Sequence, residues 1–139
     1  MGIYTELYLC CSLKEDAPKS VIDAIEWMLA GEHNTPEPYI EHQLFQKANA
    51  QFMLRTGSYS FVSGATHFFK KSRTSSQYTL IVRCDLKNYE EEIEDFIDWL
   101  TPYIDAKDGD HLGHKRYEED GLPTLLLHPN NWKEIHLVD

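Results

Sequence analysis

The chain has 139 residues, 42% hydrophobic and 26% charged, the size and makeup of one globular domain. A formal net charge of −10 argues against the basic face that phosphates require, so no nucleic-acid partner is expected. No apolar run approaches the ~18 residues of a membrane helix, and MGIYTELYLCCS lacks the regions of a secretion signal, so a cytoplasmic location without a membrane partner is expected.

Residues 5–13 alternate: Leu7, Leu9, Cys11 and Leu13 point one way, and Glu6, Tyr8, Cys10 and Ser12 the other. That is a half-buried strand. Asp16 reads as a helix N-cap and Pro18 suits a first turn. Val21, Ile22, Ile25, Met28 and Leu29 form one helical stripe, which Gly31 ends. Residues 32–50 read as a long loop with one helical turn near Glu41–Lys47, and loops of that length are often lids or binding loops. Strands are expected at Gln51–Thr56 and His67–Lys71, with a short extended piece at Phe61–Val62.

Residues 77–86 alternate again, with Tyr78, Leu80, Val82, Cys84 and Leu86 on one side. Asn88 and Glu91 read as a capping box for a helix whose stripe is Tyr89, Ile93, Phe96, Ile97, Leu100 and Ile104. Pro102 ends or kinks that helix. Leu112–Glu118 and Pro123–His128 flank an Asp-Gly turn and read as a hairpin. The tail from Asn130 reads as extended, anchored by Trp132, Ile135 and Leu137.

The two halves, about 1–76 and 77–139, resemble each other. LYLCCSLK (7–14) lies over LIVRCDLK (80–87), inward position on inward position, and Ile25-Glu26-Trp27-Met28 over Ile97-Asp98-Trp99-Leu100. A single α+β domain follows, a duplicated βαββ with one antiparallel sheet and two helices on one face. Duplicated βαββ units resemble the effector-binding domains of bacterial multidrug-responsive regulators and the related gyrase-inhibitory and haem-binding proteins. That resemblance implies a small-ligand groove between the halves. The stretch from YTELYLCCSLK to RYEED is also similar to small proteins of bacteria and their prophages, which implies no particular function.

In this layout Tyr8, Cys10, Ile81 and Arg83 occupy the sheet face away from the helices. That face is too apolar to lie bare, so the long loop, a small ligand, a protein partner or a second copy is expected to cover it. The ligand-binding candidates are Tyr8, Arg55, Arg83 and Tyr117, with Arg for charge and Tyr for an amphipathic wall. The leading reading is a non-enzymatic small-ligand or protein binding module. The alternatives are a hydrolase-like enzyme using His114 or Cys10, and a homodimer. Residues 49–87 are basic, with six cations against Asp85, and their expected role is to pair with the acidic helix. Asp108, Asp110, His111 and His114 form an ordinary polar loop in preference to a metal site. Glu118–Asp120 is a solvated turn, and Trp27 and Trp99 wall the groove between the helices. No cofactor is expected: no phosphate loop, dinucleotide glycine pattern or nucleophile elbow occurs.

Overall fold

The computed structural model describes residues 4–30, 40–57 and 64–136. Its strands and helices follow in the order β1 (Thr5–Ser12), α1 (Lys19–Ala30), β2 (Thr66–Lys71), β3 (Tyr78–Leu86), α2 (Glu92–Leu100), β4 (His111–Tyr117), β5 (Thr124–Leu127) and β6 (Asn131–Glu134). All six strands form one antiparallel sheet, ordered β2-β3-β1-β4-β5-β6. β1 and β2 run the same way with β3 between them, and β3 and β4 do the same around β1. That connectivity is the split β-α-β pattern of ferredoxin-like domains, extended beyond β4 by β5 and β6. No described helix is long and apolar enough to cross a membrane.

The alternation seen in the sequence sets the two faces. Leu7, Leu9, Cys11 and Leu13 are buried with Leu80, Val82, Cys84 and Leu86. They join the stripes of both helices, Ile25 and Met28 from α1 and Ile93, Phe96 and Ile97 from α2, in one core. The register of β1 on β3 also fits the alignment of the halves. Leu9 lies opposite Val82, its own counterpart; Leu7 lies opposite Cys84, and Cys11 opposite Leu80. Exchanging the halves returns the same ladder.

The halves differ in content, however. Gln51–Thr56 is not a strand: Met53–Arg55 forms a 3-10 turn with Met53 and Leu54 both buried. Two adjacent buried side chains do not fit a half-buried strand, whose neighbours point to opposite faces. Among the described residues, the first half therefore supplies one strand after its helix and the second supplies three. Phe61–Val62, Gly31 and Leu137 lie outside the described residues.

The long loop, in its described part, does not cover the helix-free face of the sheet. Gln43–Gln46 makes the expected helical turn, and it packs on the helices. Phe45 sits between Trp27 (ring centroids 6.4 Å apart) and Trp99 (5.0 Å, edge to face) and fills the groove those tryptophans wall. Leu44 beside it is fully buried. Polar contacts tie the same turn to α2. His42 Nδ1 accepts Leu44 N–H, so Nε2 carries the proton and donates to Asp98 Oδ2 at 2.9 Å. Gln43 Nε2 donates to Asp95 Oδ1 at 2.6 Å, and the Lys47 ammonium reaches Asp95 Oδ2 and the Glu90 carbonyl. The apolar anchors of this segment have a better burial site between two helices than on a polar sheet face, which is why the loop folds as a strap.

The capping box also takes another form. Asn88 Oδ1 accepts the Ile93 N–H at 2.8 Å, five residues on, and Asn88 Nδ2 donates to Glu94 Oε1 at 2.7 Å. Asn88 and Glu91 both adopt positive φ, 55° and 59°. α2 ends at Leu100 and runs into a 3-10 turn at Thr101–Tyr103 that contains Pro102.

Two stability measurements follow. The hydrogen bond to Asp95 raises the pKa of Lys47 above its ordinary 10.5. The contribution of this contact is therefore complete at neutral pH and fades as pH rises through the folded-state value. Lys47→Met should cost about 2 kcal/mol in urea denaturation at pH 7, and less at alkaline pH, where the wild-type protein loses the same contact. Gly113 of β4 pairs with Leu9, and a Cβ there would overlap the Tyr8 carbonyl oxygen and lie 3.0 Å from Leu9 Cα. Gly113→Ala should cost about 3 kcal/mol in the same assay, since backbone rather than a flexible side chain must move.

Candidate functional site

The even-numbered residues of β1 point away from the helices, and the register lines them up across the sheet. One transverse row runs Thr66, Arg83, Tyr8, His114, Leu125, Lys133, from β2 to β6. A second holds Asp85, Glu6 and Arg116, and a third Phe68, Ile81 and Cys10.

Glu6 organises the centre of this face. Its Oε2 lies 2.8 Å from an Arg83 guanidinium nitrogen. Its Oε1 accepts from His114 Nε2 at 3.1 Å. Arg83 also donates to the Gly64 carbonyl at 3.2 Å and lies 3.7 Å from Asp85 Oδ2. The Tyr8 ring stacks on the His114 ring, with centroids 5.6 Å apart and planes inclined by 20°. The carboxylates sit deep, Glu6 with 12% and Asp85 with 0% of the side chain exposed. Tyr8 and Phe68 stand out, 37% and 44% exposed, and Lys70 and Lys133 are exposed too. Lys70 lies over the Phe68 ring at 5.8 Å. Buried ion pairs of this kind fix geometry more than they add net stability.

Charge divides between the two sides of the sheet. Among the described strand residues, Lys70, Arg83, Arg116 and Lys133 point to this face, against only Glu6 and Asp85. The face is thus net cationic in a chain of net charge −10. Of these four cations, Lys70 and Arg83 belong to the basic stretch 49–87.

Of the four sequence candidates, Tyr8 and Arg83 are cross-strand neighbours in the central row. Arg55 and Tyr117 are on the other side. Arg55 donates from Nε to the Met28 carbonyl near the end of α1 at 3.0 Å and lies over the Phe52 ring at 5.2 Å. A cation at that helix end is stabilised by the helix dipole. Tyr117 lies opposite Thr5, whose side chain faces the helices. Partial burial, and then the charges of Glu119 and Glu118, raise the Tyr117 pKa. Glu6, Lys70 and Lys133 were missed as site residues. The alternation of β1 already put Glu6 beside Tyr8, whereas the lysines needed the register.

Cys10 is exposed on this face, while Cys11 and Cys84 are buried towards the helices. Burial pushes the Cys11 thiol up to about 12 and raises the Cys84 thiol as well. His114 is turned to Glu6 and Tyr8. In the acidic loop before it, Asp110 Oδ2 accepts the Lys107 N–H and His111 Nε2 bonds the Gly113 carbonyl. Among the described residues, no group of three or more His, Cys, Asp or Glu is placed to hold a metal ion.

No family model, curated protein or solved structure matches the chain.

Thiol chemistry tests how the two faces divide the cysteines. A maleimide should modify Cys10 in the native protein, and Cys11 and Cys84 only after denaturation, with peptide mass mapping as the readout.

Proposed function

We propose that the protein is a non-enzymatic binding module that takes a protein partner on the helix-free sheet face, at Tyr8, His114 and Arg83. The partner presents acidic groups around an apolar patch. The observation that carries this reading is the reversal of charge, a cationic face with exposed Tyr8 and Phe68 on a strongly acidic chain. Such complementarity selects partners and steers their encounter. Tyr and Arg are the side chains that most often dominate interface energy. The bonds from Glu6 to Arg83 and His114 hold the central row in place before binding, which lowers the ordering cost. This reading places the protein in the cytoplasm, where its three thiols stay reduced.

Exposed residues give the cleanest test, because Arg83 is tied to Glu6 and to buried Asp85 and its loss would disturb the fold. Wild-type protein, Tyr8→Ala and the double variant Lys70→Glu/Lys133→Glu serve as baits, and each captured complex is then titrated in purified form at two salt concentrations. Tyr8→Ala should weaken binding about tenfold or more. The double variant should weaken it most at low salt, where charges are least screened. Affinity unchanged in both variants would sink the proposal. A dimer in sedimentation that these substitutions dissolve would assign the face to a second copy. Loss of oligonucleotide binding in the same variants would assign it to nucleic acid.

A further inference from the structure

We infer that the protein taken by the sheet face is a second copy of this chain, whose acidic, tyrosine-bearing corner on the helix side docks there head to tail. This assignment rests on the reading of that face as a protein-docking surface.

The corner lies at the end of the sheet where β3 and β4 both finish. Leu86, Thr5 and Tyr117 form one row there across β3, β1 and β4. β3 leaves the row through the connection that carries Tyr89, Glu90 and Glu91 into α2, and β4 leaves it through the turn at 118–120. Two hydrogen bonds hold that turn beside the start of β1. Glu118 N–H donates to the Tyr4 carbonyl at 2.9 Å, and Tyr4 N–H donates to Glu118 Oε1 at 3.0 Å. Glu118, Glu119, Asp120 and Tyr89 all lie close enough to the Tyr117 hydroxyl to act on it electrostatically, so connection and turn share one patch.

The chemistry of this patch complements the sheet face. Tyr89 is the most exposed large hydrophobic side chain among the described residues. Phe52, half exposed, borders the same end through the cavity it shares with Tyr4 and Leu86. Glu90, Glu91, Glu119 and Asp120 are exposed. Lys87 is exposed beside them, whereas Lys47 and Lys115 are engaged by Asp95 and Glu94. Carboxylates thus surround exposed aromatic side chains here, as Lys70, Arg83, Arg116 and Lys133 surround Tyr8 and Phe68 on the other layer. Complementary potentials select a partner and fix its orientation, and the aromatic anchors carry most of the contact energy. The repulsion between two chains of net charge −10 acts over longer range, and physiological salt screens it beyond about 8 Å.

Face and corner belong to opposite layers of the domain, so one pair of molecules cannot make both contacts reciprocally. A pair keeps one free face and one free corner, and the contact is heterologous and open.

Sedimentation velocity of the full chain at physiological ionic strength, at concentrations up to about 1 mM, tests the assignment. The wild-type protein should grow past a dimer as concentration rises. Tyr8→Ala/Lys70→Ala removes the face and Tyr89→Ala/Glu119→Ala removes the corner, all at exposed positions whose change leaves folding intact. Each variant alone should associate about tenfold more weakly or worse. An equimolar mixture of the two should form a dimer and stop there, because the intact corner of the first meets the intact face of the second. A wild-type protein that stays monomeric overturns the assignment. So does association that Tyr89→Ala/Glu119→Ala leaves unchanged, or a mixture no larger than its separate parts. If the wild-type protein stays monomeric while Tyr8→Ala still weakens a captured complex, the docking face stands and its partner is a different protein.

Discussion

The pairing of β1 with both β3 and β4 is the constraint on which everything else is built. β1 is the strand that the chain makes first, yet its neighbours arrive some seventy and more than a hundred residues later. Its inward side chains, Leu7, Leu9 and Leu13, are fully buried. A slip of one residue would turn them to solvent and carry Glu6 into the core. Gly113 tightens the same constraint, because β4 lies too close to the backbone of β1 for any side chain there. With the register locked, Glu6 has no choice but to stand between Arg83 and His114.

How much of this was legible in the sequence depends on whether one residue or many decide an outcome. The alternation of β1 and β3, the stripe of α1, the stripe of α2 from Ile93 to Leu100 and the Asp-Gly hairpin are local patterns, and each stands where the residues put it; Tyr89, placed in that second stripe, instead precedes α2 and is 69% exposed, and Ile104 lies beyond the helix, bridged to Leu13. Gln51–Thr56 misled because its composition suits a strand. Yet Met53 and Leu54 side by side, with Phe52 and Arg55 three apart and in contact, follow the period of a 3-10 turn. The facing of Tyr117 was open for a different reason. β4 carries a register shift between His111 and Gly113, so counting along the strand from Leu112 does not give the right side. The strap was hidden because its apolar anchors fit a groove that exists only after the two helices have met.

The division of charge explains why the composition alone was a poor guide to partners. A net charge describes the whole surface, whereas recognition is local. The carboxylates on the helix-free side are sunk beneath the side chains of Arg83 and His114, and lysines and aromatic rings stand above them. On the other side, Asp95 and Asp98 are used internally to hold the strap. Acidic groups thus do structural work in both layers, and the solvent meets a different balance of charge on each.

The two margins of the sheet have an implication for how the molecule meets others. β6 is four residues long, and β2 carries adjacent lysines, Lys70 and Lys71, at its end. Short borders and border lysines discourage strands of neighbouring molecules from zipping on. Sideways growth into ribbons is therefore disfavoured at both margins of the described sheet.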